Sequence, residues 1–144
     1  MKILLSALLL APVALAAGAV APAQQGGRPI SVSMTGAAEV PGPGDADGSG
    51  TASFRINPGQ TQVCYELAVK NIETATAAHI HRGAPDVAGP VVVPLDAPAS
   101  GTSKGCADID RALAKELIQT PAAFYVNVHN APHPAGAVRG QLGK

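Results

Sequence analysis

Apolar and polar residues alternate with a period of two along much of this chain, which is the pattern of half-buried β-strands. The alternation is clear in ISVSMTG, where Ile30, Val32 and Met34 are the apolar positions. It recurs in TASFRIN and TQVCYELAVKNI, which are separated by the turn-forming sequence Asn-Pro-Gly-Gln at residues 57–60. A short connection of this kind between two strands predicts an antiparallel hairpin.

Four further segments read as strands, namely ATAAHIH, GPVVVPL, AFYVNVHN and AVRGQL. Pro94 places GPVVVPL at the edge of a sheet, because proline cannot donate a hydrogen bond to a central strand. Elsewhere Ile109, Leu113 and Leu117 recur every four residues, as on one face of a helix. We expect Asp108 to cap this helix and the Thr-Pro pair at residues 120–121 to end it.

About seven strands and one helix predict an all-β protein, specifically an antiparallel Greek-key-like β-sandwich with one short helix. The segment EVPGPGDADGSG at residues 39–50 is dense in proline, glycine and aspartate and is therefore expected to be a loop. Its DADGSG part resembles the start of a calcium-binding loop but lacks the glutamate that such a loop needs. We assign one domain to residues 28–144.

The first 23 residues have the pattern of a secretory signal peptide. Lys2 is followed by an apolar run, and small residues allow cleavage after Ala16 or after Ala23. The alternative is an uncleaved membrane anchor, but the apolar run is shorter than the roughly 20 residues of a spanning helix. We therefore expect a secreted or periplasmic protein with no stable membrane anchor after cleavage.

Charge and cysteine content narrow the picture further. The chain has 10 basic and 10 acidic residues, so it lacks the basic surface of a nucleic-acid-binding protein. Its two cysteines, Cys64 and Cys106, would meet an oxidising compartment after export, and we expect them to form a disulfide. A role as thiolate ligands of a metal is the alternative, but neither segment has the close cysteine spacing of a zinc or iron–sulfur site.

The four histidines form two groups, and these are the candidate metal ligands. In the strand HIH, His79 and His81 project from the same face while Ile80 points into the core. In AFYVNVHN, His129 lies on the polar face, and His133 follows in a loop that could return to the strand end. A set of imidazoles without cysteine or carboxylate suits copper, zinc or nickel. The alternative is that these side chains only form hydrogen bonds with the backbone.

The segments EVP, GSGTASFRI, VCYELAV, AAHIHRGAPDVAGPVV, FYVNVHN and GAVRGQL, in this order, resemble the chordin-type (CHRD) domain. The resemblance covers about residues 30–142 and rests most on AHIHRG, YVNVH and RGQ. It implies a secreted β-sandwich module in which both histidine motifs are features of the fold. It implies less about function, because the family is named for domains of an extracellular growth-factor antagonist.

The site itself is similar to that of copper superoxide dismutases, which are exported β-sandwiches that hold copper through a strand-borne His-x-His pair and further histidines. This likeness implies that His79, His81 and His129 bind copper, with His133 as the candidate fourth ligand and zinc as the alternative metal. It implies superoxide or another small anion as the substrate. It also implies a catalytic role for Arg139, whose charge would attract the superoxide anion. A structural salt bridge is the alternative role for Arg139.

Three functions remain open from the sequence: a copper-dependent superoxide dismutase, a copper or zinc carrier, and a non-enzymatic module that binds a protein or matrix partner. In each case we expect a monomer or weak dimer. Glu39 is a candidate partner of a ligating imidazole, or else a carboxylate that ends a turn. Asn127 shares the polar face of its strand with His129, where its amide could equally pair with backbone.

Overall fold

The computed structural model describes residues 27–59 and 61–143, so the predicted signal peptide at residues 1–23 lies outside the described part. Within that part the chain forms eight β-strands and one α-helix. The strands are β1 (Arg28–Thr35), β2 (Ser49–Asn57), β3 (Gln62–Lys70), β4 (Ala75–Arg82), β5 (Val91–Leu95), β6 (Thr102–Asp108), β7 (Phe124–Asn130) and β8 (Val138–Gln141). The helix α1 is Arg111–Gln119, and short 3₁₀ turns lie at Gly36–Ala38 and Pro121–Ala123.

All strand pairs are antiparallel, and the order across the sheet is β5-β4-β7-β8-β1-β2-β3-β6. Strands β8 and β1 are joined through the single pair of Arg139 and Thr35, which divides the sheet into two four-stranded halves. The outer strands approach each other where Ser103 donates to the Asp96 carbonyl at 2.7 Å. The predicted all-β fold with one short helix is confirmed, and its two halves belong to one nearly closed sheet.

One apolar core lies between the two halves of the sheet. Every strand except β6 contributes alternate side chains to it, as the period-two pattern predicts. The largest fully buried members are Phe54, Phe124, Met34, Ile56, Ile80, Leu117, Val63, Val93, Val126, Val128 and Val138. The predicted edge position of the strand with Pro94 is confirmed, because β5 ends the sheet.

Strand β6 was missed by the sequence prediction. Its residues TSKGCAD alternate only between partly buried and exposed positions, so they carry no apolar stripe for a period-two pattern to reveal. The strand pairs with β3 in a register that places Cys106 opposite Cys64. These two residues form the predicted disulfide, at a sequence separation of 42.

The predicted helix is confirmed, but its capping residue is Asp110 and not Asp108. The Asp110 carboxylate accepts a hydrogen bond of 2.7 Å from the backbone nitrogen of Leu113, which satisfies a free donor of the first turn. Asp108 is instead the last residue of β6, where it pairs with Gln62. Within the described ranges, no helix has the length and apolar character needed to cross a membrane.

Candidate metal site

Three histidine side chains from two neighbouring strands converge on the outer face of the sheet. His79 and His81 belong to β4, and His129 belongs to β7, opposite Ala77. Nδ1 of His79 lies 3.1 Å from Nε2 of His129, and one nitrogen from each of the three rings lies within 4.8 Å of the others. The intervening Ile80 is fully buried in the core. The predicted convergence of these three histidines is therefore confirmed.

Two of the rings are oriented by backbone carbonyl groups. Nδ1 of His81 lies 2.9 Å from the Gly89 carbonyl oxygen, and Nδ1 of His129 lies 3.0 Å from that of Pro134. A carbonyl oxygen can only accept, so each Nδ1 carries a proton, and in the neutral ring Nε2 keeps its lone pair. Nε2 of His81 is buried and has no hydrogen-bond partner among the residues that the structure describes. The second nitrogen of a metal-binding histidine is usually fixed in this way.

The electrostatic environment favours the neutral form of the His79 and His129 rings. Burial lowers the pKa of His79, and the neighbouring His129 and His81 lower it further. Burial also lowers the pKa of His129, an effect that the Pro134 carbonyl opposes and His81 reinforces. Because a metal ion competes with protons for the ring nitrogens, a lowered pKa keeps the donors available at neutral pH.

Tyr125 covers one side of the group formed by His79, His81 and His129, which we call the histidine group. Its ring stacks on that of His81 with 4.7 Å between the ring centroids and an interplanar angle of 6°. The backbone nitrogen of Gly89 donates to the Tyr125 hydroxyl at 3.1 Å, so Gly89 contacts both rings. A Cβ atom at Gly89 would lie 1.7 Å from the Arg82 carbonyl oxygen, and only glycine allows the loop of residues 83–90 to approach this closely.

Arg139 lies behind Tyr125 and is only 2% exposed. Its guanidinium carbon is 3.4 Å from the Tyr125 ring centroid, and Nη2 donates to the carbonyl groups of Ala84 and Val87 at 2.8 and 3.0 Å. Gln141, two residues later, donates to the Gly83 carbonyl at 2.7 Å. These contacts hold the loop of residues 83–90 against the sheet. The three-histidine group itself does not include Arg139.

Glu39 is a second buried charged group on this face, with 5% of its surface exposed. Burial raises the pKa of its carboxyl group from 4.5 to about 7, although the charge of Arg139 and hydrogen bonds from Val40 and Asn127 lower it. The carboxylate occupies the space that a side chain at Gly136 would need, since a Cβ there would lie 2.3 Å from Glu39 Oε1. Arg139 and Asn127 are therefore the neighbours that act on the charge of Glu39.

His133, the fourth predicted ligand, lies outside the three-histidine group. Its Nε2 is 3.8 Å from the Asp45 carboxylate, and its backbone nitrogen donates to the Asn130 side chain at 3.0 Å. The loop of residues 131–137 therefore carries the His133 side chain toward the loop of residues 39–48 and away from the histidine group. The first of these loops supplies the Pro134 carbonyl that orients His129.

Sequence reasoning missed how completely this face is covered. Tyr125 and Asn127 are both 2% exposed, although the alternation of β7 predicts that they lie on the solvent side. The loops of residues 83–90 and 39–48 form a second layer over the sheet and enclose these side chains. In the loop of residues 83–90, the run of small residues in GAPDVAGP is consistent with this layer, because small side chains allow a loop to lie close to a sheet.

Comparison with known proteins gives one match. A sequence model described as the CHRD domain matches residues 30–142. No curated protein and no solved structure matches the chain significantly. The matched region contains all three convergent histidines, both cysteines and the buried pair of Arg139 and Glu39.

Proposed function

The chain belongs to the CHRD domain family, and from this premise and the histidine group we propose that it is a secreted copper-binding protein that dismutates superoxide. Domains of this family occur in extracellular proteins, and a disulfide between Cys64 and Cys106 is consistent with export. Membership of the family supports secretion, and the histidine group supports copper binding and the reaction with superoxide.

One observation carries the proposal: three imidazole nitrogens lie within 4.8 Å of one another, and two of the rings have the opposite nitrogen fixed by a carbonyl group. An arrangement that served only hydrogen bonding would not leave Nε2 of His81 buried without a partner. An ion bound there would supply that partner. It would also bind Nδ1 of His79 and Nε2 of His129.

The donor set favours copper. Three imidazoles with no thiolate and no carboxylate bind copper, zinc or nickel, whereas magnesium and calcium require oxygen ligands. Zinc stays the alternative, because it also binds three histidines with an open position. When bound, copper supplies a one-electron couple, which zinc cannot do.

The reaction needs no other oxidant or reductant. Two superoxide anions and two protons give one dioxygen and one hydrogen peroxide, because one superoxide loses an electron and the other gains it. The chain's contribution is to hold three imidazoles in place and to leave one side open, since His79 and His129 are only partly buried. The guanidinium of Arg139 is buried, so Arg139 would attract superoxide only through the long-range effect of its positive charge and not by direct contact.

The burial of Arg139 also favours a second candidate function, that of a copper or zinc carrier without catalysis. A dismutase benefits from a positive group at the open face of the metal, and Arg139 does not reach the surface. A non-enzymatic module that binds a protein partner is the third candidate, and it requires no metal.

The experiment is a titration of the metal-free protein with Cu(II), followed by superoxide turnover per bound copper. We expect one copper per chain in the wild type, at least tenfold weaker binding in His81→Ala and His129→Ala, and wild-type binding in the matched control His133→Ala. Copper binding without turnover would identify a carrier. Equal binding by all four proteins would remove the histidine group as the site and leave the non-enzymatic module.

A further inference from the structure

Asn127 lies at the centre of the buried face, between the histidine group and the pair of Glu39 and Arg139. It is 2% exposed, and its register on β7 places it opposite His79 on β4 and opposite Arg139 on β8. Its side-chain oxygen Oδ1 lies 3.0 Å from Nε2 of His129. The amide therefore reaches the same nitrogen that lies 3.1 Å from Nδ1 of His79.

Glu39 determines which end of the Asn127 amide faces the histidines. Asn127 lowers the pKa of the Glu39 carboxyl group as a hydrogen-bond donor does, and only the amide nitrogen of its side chain can donate. Oδ1 consequently points toward His129. The Glu39 carboxylate fits at this position because Gly136 has no side chain and leaves room for it.

This orientation places two electron-rich atoms next to each other. His129 donates its Nδ1 proton to the Pro134 carbonyl, so the neutral ring presents a lone pair at Nε2. The amide oxygen of Asn127 also presents lone pairs and lies 3.0 Å from that nitrogen. When the ring is neutral, no hydrogen stands between the two atoms. A cation bound to both would turn this repulsion into attraction, and donors bound to one metal at about 2.0–2.2 Å lie about 3 Å apart.

We propose that Oδ1 of Asn127 is the fourth donor of the metal site and that Glu39 is the positioning residue that directs it there. The proposal rests on the metal site of the proposed function but not on its catalysis. The site then holds three imidazoles and one neutral oxygen, a mixed set that suits Cu(II) in a tetragonal arrangement. Asn127 takes the place that the sequence offered to His133, which lies beside Asp45.

The test uses Cu(II) and the full chain, with two variants of Asn127. Asn127→Leu keeps the approximate shape of the side chain and removes the oxygen donor. The double variant Asn127→Asp with Glu39→Gln keeps an oxygen donor and the total charge, because the glutamine amide can donate to the new carboxylate. His133→Ala is the matched control outside the histidine group.

We expect Asn127→Leu to bind Cu(II) about 10- to 100-fold more weakly than the wild type. It should also gain one exchangeable water ligand, counted by proton ENDOR after transfer to D₂O, while the number of coupled nitrogens stays at three. The double variant should restore the affinity and exclude that water. These readouts do not depend on superoxide turnover.

An Asn127→Leu protein with wild-type affinity and no additional water would overturn the inference. If copper binding is nevertheless lost in His81→Ala, the proposed metal site stands and only the role of Asn127 as a ligand is overturned. The same result would mean that Oδ1 accepts a hydrogen bond from Nε2 of His129 and contacts no metal. Absence of copper binding in the wild type would overturn both the inference and the proposed function.

Discussion

The ring of Tyr125 lies parallel to the ring of His81, with 4.7 Å between their centroids, and the guanidinium carbon of Arg139 lies 3.4 Å from the centroid of the same Tyr125 ring. This three-layer stack links strands β4, β7 and β8. It also joins the segments AHIHRG, YVNVH and RGQ into a single structural unit. One end of the stack is a proposed metal ligand, and the other end holds the loop that orients this ligand through Gly89.

The stack predicts different effects for two substitutions of Tyr125. Tyr125→Phe keeps the ring but loses the hydroxyl contact with Gly89, and we expect a loss of about 1 kcal/mol in the free energy of unfolding with little change in copper affinity. Tyr125→Leu removes the ring that positions His81, so we expect a loss of about 3 kcal/mol and roughly tenfold weaker copper binding. Urea denaturation and competition with a chelator measure the two quantities.

Tyr65→Phe is the matched control for the hydroxyl group. Tyr65 lies on β3, and its hydroxyl forms hydrogen bonds of 2.9 Å with the backbone nitrogen and the carboxylate of Asp96, the residue after β5. Neither residue belongs to the three-histidine group. We expect Tyr65→Phe to lower the free energy of unfolding by a similar amount and to leave copper affinity unchanged. Wild-type affinity in Tyr125→Leu would show that the stack does not position His81.

Arg139 is predicted to stabilise the fold more than an exposed arginine does. Arg139→Met removes the donors to Ala84 and Val87 and leaves the buried Glu39 without its neighbouring cation, so we expect a loss of about 3 kcal/mol in the free energy of unfolding. Arg55→Met, at an exposed position on β2, should change it by less than about 0.5 kcal/mol. Equal losses in both variants would contradict the loop-holding role.

Attraction of superoxide by Arg139 can be separated from this structural role. Arg139→Lys keeps the charge but loses the planar donor group, so it should destabilise the loop while leaving turnover per bound copper near the wild-type value. Arg139→Met should reduce turnover per bound copper, and the reduction should shrink at high ionic strength. If Arg139→Met keeps full turnover per copper at low salt, the charge has no catalytic role.

Glu39 is predicted to make the stability of the metal-free protein depend on pH. Its pKa is raised from 4.5 to about 7 in the folded state, so the folded chain binds this proton more tightly than the unfolded chain. The resulting stabilisation is complete below pH 4.5 and is lost as the pH rises through 7. The whole change is about 3 kcal/mol, from 1.36 kcal/mol for each unit of pKa.

Glu39→Gln tests this dependence because a glutamine resembles the protonated carboxyl group and does not titrate. Urea denaturation in the presence of EDTA should give a wild-type free energy of unfolding that falls relative to the variant between pH 4.5 and 7. Above pH 7.5 the difference between the two proteins should be constant. Parallel curves across the whole range would show that Glu39 titrates with an ordinary pKa.

The strands and the histidine group could be predicted from the sequence because both depend on local periodicity. Alternation alone places Ile80 in the core and the rings of His79 and His81 on the opposite face. The convergence of His129 also follows once β7 has the same alternation and pairs with β4. Strand β6 could not be predicted in this way, because its face toward the core contains Ser103, Gly105 and Ala107 in place of large apolar residues.

The buried polar layer could not be predicted because it depends on where loops lie. The burial of Asn127 and Arg139 requires the loops of residues 39–48 and 83–90 to fold over the sheet, and no periodicity describes that. The same limit explains the position of His133, whose loop turns toward Asp45 and away from the histidine group. Loop contacts such as that between Gly89 and His81 are set by tertiary structure alone.

The disulfide is predicted to stabilise the fold without affecting the metal site. It joins β3 and β6 across a sequence separation of 42, and constraining a loop of this length in the unfolded chain contributes about 4 kcal/mol. We expect the double variant Cys64→Ala with Cys106→Ala to lose about this much free energy of unfolding in urea denaturation. Because neither strand carries a histidine, copper affinity measured while the variant is folded should equal that of the wild type. A folded variant with weakened copper binding would instead mean that the two halves of the sheet are coupled through the core.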